Sequence, residues 1–304
     1  MAALVAVMAA VVSCSNRAHT EPVEAVATDA TELTMPVIPA SITDTHQRAL
    51  YLLTHFWDNM DFTDTVRSHS SDFMEQTFAN YLSLWPLVDE DETESPVQQL
   101  MADARADDGA YAKLREVASK YLYDPNSPMA NEEYYATFLH AMLADETLDA
   151  TERERYEFEQ ECIAKNHRGT VAADFTYVDR TGCIRHFSST PCTGRHLMLM
   201  FVDTHCNVCR QTLADLTESA ALNEMLADGQ LTVLAICAEG TRDEWREVES
   251  ELPATWLTGY DVSGIADDDI YVLRAMPAIY VLSPSHIVEL KDATAPQALS
   301  FAAL

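Results

Sequence analysis

Residues 197–202 read LMLMFV, an unbroken apolar run that ends at Asp203 and leads straight into Thr204-His205-Cys206-Asn207-Val208-Cys209-Arg210. A run of this length, closed by a polar turn, predicts a strand buried on both faces. Past the cysteines, Leu213, Leu216, Ala220, Leu222 and Leu226 predict one helix that runs on to Asp228-Gly229. LTVLAIC at 231–237 predicts a second buried strand, a helix follows at about 242–251, and after a loop 278–282 and 287–290 predict two more strands. Strand–helix–strand alternation that finishes in paired strands is satisfied by a mixed sheet with helices packed on it.

The pattern ahead of residue 166 is different. Ala49, Leu50, Leu53, Phe56, Trp57 and Met60 recur at three- and four-residue steps, as do Phe73, Phe78, Tyr81, Leu82 and Trp85 before Pro86. Each set lays one apolar face along a helix. Ser95-Pro96-Val97-Gln98 predicts another helix start, with Ser95 as cap, and a further helix begins near Asn131 with Tyr134, Tyr135, Phe138, Leu139 and Met142 inward. A charged helix closes the series at about 151–165, and DEDETE at 89–94 reads as a solvated loop. Residues 41–165 are therefore expected to form a small all-helical domain whose aromatic stripes serve as core. From 166 onward apolar and polar residues alternate about Asp179-Arg180-Thr181-Gly182, which predicts a hairpin turn. With 304 residues the chain is long enough for two such domains, 41–165 and 166–304.

Residues 1–13 carry no charge and are mostly apolar or small, ending at Cys14. That run is too short for a membrane-spanning helix, which needs about 20 apolar residues, but it suits a signal peptide. Val11-Val12-Ser13-Cys14 resembles a bacterial lipobox, although no Lys or Arg precedes the apolar run. The resemblance implies removal of 1–13, lipidation of Cys14, and a protein of the cell envelope, held to the membrane by lipid and facing the periplasm or cell surface. Residues 14–40, rich in Ala, Thr, Glu and Pro, read as a flexible tether. A formal net charge of −30 sets nucleic acid and anionic lipid headgroups aside as partners, because both are bound through Lys/Arg clusters.

A C-x-x-C pair can hold metal, bridge structurally or do redox chemistry. A zinc site wants four ligands, and no second C-x-x-C or His pair offers them. Residues 166–304 resemble the thioredoxin fold, and specifically membrane-anchored bacterial thiol–disulfide oxidoreductases. The likeness is carried by Gly169, Ala173-Asp174-Phe175, the turn from Asp179 to Gly182, the strand before Cys206-Asn207-Val208-Cys209-Arg210, and Met276-Pro277 ahead of a late strand. The whole chain is similar to Bacteroidota lipoproteins that join a helical domain of unknown function to such a module, a likeness carried by residues 120–128, KYLYDPNSP.

In this reading Cys206 sits at the first turn of a helix, whose amide groups and dipole favour its thiolate. It attacks a substrate disulfide; Cys209, one turn on, resolves the mixed disulfide. The resemblance further implies a cis Pro277 facing the pair, with the Met276 backbone pairing with substrate like an added strand. Asn207 and Val208, between the cysteines, complete the expected contact surface. No cofactor and no metal is needed. The expected partners are a protein or small-molecule disulfide and a membrane electron donor or other redox partner, with reduction as the favoured direction.

Two positions depart from the family pattern. Where many thioredoxins carry a buried Asp, six residues before the first cysteine, this chain has Met200; where related reductases carry Glu, it has Thr212. Asp203, His205 and Glu239 are the ionisable residues left to move protons. His205, in place of the usual Trp, either steadies the Cys206 thiolate or accepts a proton, or is simply an exposed loop residue. Cys237 is expected in the core, and a Cys183–Cys192 bridge is possible. A peroxiredoxin would need a P-x-x-x-T-x-x-C pattern that is missing here. The rival of another class is a surface binding lipoprotein in which the thioredoxin-like part is an inactive scaffold.

Overall fold

The structure, a computed structural model, describes residues 32–267 and 269–304. The expected signal peptide, the lipidation at Cys14 and the tether as far as residue 31 lie outside the described residues.

The helical part is built on side-chain caps. Asp44, Asp64, Ser70, Asp107, Asn131 and Asp149 each accept a hydrogen bond from first-turn amides of the helix that follows. These helices are α1 (Thr45–His55), α2 (Thr65–Ser68), α3 (Ser71–Leu82), α5 (Asp108–Ala118), α6 (Glu132–Leu143) and α7 (Ala150–Ala164). Several of the chain's many carboxylates thus satisfy amides that have no partner within the helix. Between α3 and α5 lies α4 (Glu94–Ala104), and its start corrects the expectation of a Ser95 cap. Asp89 and Glu92 form a capping box that folds Glu90–Glu92 into a 3-10 turn, and the chain enters α4 from that turn through Thr93, already helical in φ and ψ. Ser95 and Pro96 are inside the first turn. The acidic stretch is also more than a solvated loop, because Glu92 lies 2.9 Å from His46 Nε2.

Phe56, Trp57, Phe78, Tyr81, Trp85, Tyr135 and Phe138 are all buried in one core. Trp85 stacks on Phe138 at 5.9 Å, and Phe56 tilts against Tyr81 at 5.3 Å. The aromatic stripes are packing, as their spacing suggests.

After α7 come β1 (Thr176–Asp179), β2 (Ile184–His186), β3 (His196–Asp203), α8 (Asn207–Glu218), α9 (Ala220–Ala227), β4 (Leu231–Glu239), α10 (Arg242–Glu251), β5 (Leu257–Asp261), β6 (Ala278–Leu282), β7 (Val288–Leu290) and α11 (Ala295–Ala302). The strands form one mixed sheet in the order β2-β1-β5-β4-β3-β6-β7. β3, β4 and β5 are parallel neighbours, while β6 runs antiparallel to β3 with Phe201 opposite Ala278. One face carries Met198, Met200, Val202, Val233 and Cys237 against Leu213, Leu216 and Trp245. The other carries Leu199, Phe201, Leu234 and Tyr280 against Phe175, Phe187 and Tyr271. This is the thioredoxin-like fold, preceded by helices.

After residue 166 three elements depart from expectation. The helix after the cysteines is two helices, because Ser219 is extended and its hydroxyl caps α9 by accepting from Leu222 N. β5, which carries Gly259 and shows no alternation, is a strand because β4 and β1 pair with it on either side; a Cβ at Gly259 would sit 2.2 Å from the Tyr177 ring. α11 starts at a Thr294/Gln297 capping box that its sequence displays.

The hairpin between β1 and β2 forms at the expected turn. Gly182 takes φ 87°, and its amide donates to the Asp179 carbonyl at 2.8 Å. Asp179 closes the turn by accepting from Thr181 N, Thr181 Oγ1, Cys183 N and Arg185 Nε at 2.6–2.9 Å. Burial alone would raise its carboxyl, but the Thr181 and Arg185 bonds win and bring it down to about 2. A depressed folded pKa gives stability that is complete above the unfolded value near 4 and is lost as pH falls towards 2. Asp179→Ala is therefore expected to lose about 1–2 kcal/mol at pH 7. Denaturant titrations should show the gap to wild type closing between pH 4 and pH 2.

Candidate active site

β3 delivers Asp203 to the rim of the sheet, and the chain turns through Thr204 and His205 into α8. Cys206 is the N-cap of that helix, and its sulfur accepts the Cys209 amide hydrogen at 3.1 Å. An N-terminal amide aimed at sulfur, with the helix dipole behind it, solvates negative charge there. From the other side the Cys206 thiol donates to the Met276 carbonyl at 3.4 Å. The Met276–Pro277 peptide bond is cis, and β6 starts at the next residue. The structure thus brings Cys206, Cys209, Met276 and the cis Pro277 to one place.

Asn207 and Val208 are exposed beside the partly buried Cys206, Val208 with 64% of its surface accessible. Cys209 is buried against Met200, Leu213 and Cys237, and burial pushes its thiol up to about 12. The two cysteines therefore differ in access: one faces out, the other is enclosed one turn further on.

The proton-handling candidates separate as well. His205 Nε2 lies 3.0 Å from Glu244 Oε1, and its Nδ1 lies 3.5 Å from Asp203 Oδ1. The ring of His205 is thus held by two carboxylates. Glu244 is itself pinned by the Thr241 hydroxyl and amide in the capping box of α10, and those bonds, with His205, bring its carboxyl down to about 2. Glu239 contributes its carbonyl, which takes the Thr204 amide and the Cys237 thiol, while the residue itself is exposed. Asp203 bears on the Cys209 thiol in two opposed ways, its backbone hydrogen bond lowering it and its charge, the smaller effect, raising it. Met200 is fully buried among apolar neighbours, so that position supplies no acid.

Three supports were not foreseen. Glu244 is one, and the Thr241-x-x-Glu244 capping box was the signal that could have placed it near a loop end. Arg210 reaches back to the Thr204 carbonyl through Nε at 3.0 Å and an Nη at 2.7 Å, clamping the turn ahead of Cys206. Gly240 is the third. Its φ is 116°, and a Cβ there would fall 2.0 Å from Thr204 Oγ1, so only glycine lets the loop after β4 lie against the active-site turn.

The remaining described cysteines are free thiols. Cys183 is exposed beyond the hairpin turn, and Cys192 donates to the Gly194 carbonyl at 3.2 Å, so the contemplated bridge between them is not formed. Cys237 is core, as expected, with its thiol pushed up to about 12 by burial.

Residues 12–166 match the family model of a domain of unknown function, DUF5106. Among solved structures, a thioredoxin-like protein from Bacteroides caccae superposes with a TM-score of 0.82 at 32% identity, over 89% of this chain and 98% of that one. The C-terminal domain of an uncharacterized protein from Bacteroides fragilis is 31% identical over 46% of this chain and all of its own, with a TM-score of 0.44. The thioredoxin domain of a thiol-disulfide oxidoreductase from Bacteroides vulgatus is 17% identical over 45% of this chain and 95% of its own, with a TM-score of 0.39. Among curated proteins none matches at a significant level.

The asymmetry of the pair can be read directly. At pH 8 iodoacetamide is expected to modify Cys206 of the reduced protein while Cys209 stays unmodified, because a buried thiol raised to about 12 offers almost no thiolate. Peptide mapping by mass spectrometry checks this; equal labelling of both would contradict the burial argument.

Proposed function

This chain belongs to the thioredoxin-like proteins that carry an N-terminal DUF5106 domain, and from that premise we propose that it is a thiol–disulfide oxidoreductase acting as a disulfide reductase. The observation that carries the reading is the Cys206 sulfur at the start of α8, set between the Cys209 amide at 3.1 Å and the carbonyl of the cis Met276–Pro277 peptide at 3.4 Å.

The Cys206 thiolate attacks one sulfur of a substrate disulfide, which forms a Cys206–substrate bond and expels the other sulfur as a thiolate. Cys209 then loses its proton and attacks the Cys206 sulfur. The substrate leaves as its second thiol, and a Cys206–Cys209 disulfide remains. Two electrons have passed to the substrate, and a dithiol or membrane electron donor must return them. The Cys209 proton is costly to remove from an apolar pocket, so a base has to be near. Of the three candidates Asp203 ends β3 directly before the turn into α8, where the His205 amide holds its Oδ1 at 2.7 Å, and we assign it that role. The Met276 backbone, Asn207 and Val208 would meet the substrate.

The assigned direction is reduction, in keeping with the anchored reductases that the sequence resembles. The assigned location is the cell envelope, with lipid on Cys14 as the anchor; among the described residues no helix is long and apolar enough to cross a membrane.

Trapping tests the mechanism. Cys209→Ser is expected to accumulate a mixed disulfide through Cys206 with a protein disulfide such as that of insulin. Cys206→Ser should form none and lower reductase turnover by at least about a thousandfold. A wild-type protein that forms no mixed disulfide and reduces nothing would leave the thioredoxin-like part a scaffold.

A further inference from the structure

Pro277 and Met276 close a segment that packs Leu273 and Met276 against opposite faces of the sheet but has no regular backbone structure of its own. Ahead of it Tyr271 is fully buried and donates its hydroxyl to the Ala173 carbonyl at 2.8 Å, and the Asn166 side-chain amide donates to the Ile270 carbonyl at 2.9 Å. From Val272 to Pro277 there is neither helix nor strand. Yet this stretch must fix the Met276 carbonyl against Cys206.

Arg274 ties it down, and the tie runs to the helical part. Its guanidinium lies 4.0 Å over the Tyr123 ring, donates to the Tyr123 carbonyl and to Glu132 Oε1, and lies 3.5 Å from Asp292 Oδ2. Glu132, the first residue of α6, is also held by Lys291 Nζ at 2.7 Å. Arg274, Glu132 and Lys291 side chains are 16%, 12% and 9% exposed, so these charges meet in a largely dry contact where pairing is obligatory. Tyr123 is in turn stacked on Tyr135 at 4.7 Å, and Tyr135 donates to Glu159 of α7 at 2.7 Å. The Tyr123 carbonyl is presented by a π-helical turn, Ser119–Tyr123, that leads into the KYLYDPNSP stretch, which the proposed chemistry leaves unused.

We propose that Arg274 is a positioning residue through which the helical part, by Tyr123 and Glu132, sets the Met276–Pro277 edge that receives the substrate backbone. The substrate half of this inference rests on the oxidoreductase reading; the mechanical half does not. A planar fork that donates to two groups while stacking on an aromatic face is work for arginine, and lysine supplies charge alone.

In the full chain, Arg274→Lys keeps the charge and loses the fork, while Tyr123→Ala acts from the helical side only. Each variant is read by hydrogen exchange over 272–278 and by the rates at which Cys206 reacts with a disulfide-bonded peptide and with iodoacetamide. Exchange over 272–278 is expected to quicken about tenfold with 196–203 unchanged. Reaction with the peptide disulfide should slow about tenfold while alkylation by iodoacetamide stays within about twofold. Unchanged exchange in both variants would overturn the proposal, and so would equal slowing of the two reactions, which marks general damage to the site. A wild-type Cys206 that takes iodoacetamide but no peptide disulfide counts against the oxidoreductase reading instead, and the exchange result then still decides the role of Arg274.

Discussion

The whole site hangs from the carboxyl end of β3. That strand is buried along its length and hydrogen-bonded on both edges, parallel to β4 and antiparallel to β6. Its end cannot slip without breaking two ladders and turning its side chains to the wrong face. Two consequences follow from register alone. The chain leaving β3 enters α8 within a few residues, which places Cys206 at the helix start. The pairing of Phe201 with Ala278 brings the residues just before Ala278, Met276 and Pro277, up beside the same end. Cys206 and the Met276–Pro277 edge are thus positioned by one strand.

Chemistry is then divided by burial. Cys206 is partly exposed and solvated by an amide; Cys209 is enclosed, and its proton is held tightly. With Met200 in the fully apolar interior, acid groups are confined to the rim, where Asp203, His205 and Glu244 form a bonded group. The same separation recurs between the helical part and the sheet, where Arg274 and Lys291 meet Glu132 and Asp292 in a contact that leaves no buried charge single.

How far the sequence could be read depended on the range of the forces involved. β3 and β4 are legible because burial on both faces demands continuous apolar runs. The cysteine pair is legible because its chemistry requires that residue type, whereas Pro277 is legible only through the resemblance to the thioredoxin fold. β5 is not: LTGYD has no period of its own and becomes a strand only through partners on both sides. The break at Ser219 turns on a single cap, a smaller signal than the leucine spacing that runs through it. Glu244 is 39 residues from His205, and Arg274 is 142 residues from Glu132. Pairs so distant are invisible until the fold brings them together.

In the proposed chemistry Cys206 and Cys209 form a reversible redox couple poised for reduction. A glutathione titration of the full chain, with the bridge followed by mass spectrometry, tests it most directly. A single Cys206–Cys209 disulfide is expected to form and reopen with a potential below about −200 mV. A potential near −120 mV would contradict the reducing direction, and a pair that never bridges at any ratio would contradict the couple itself.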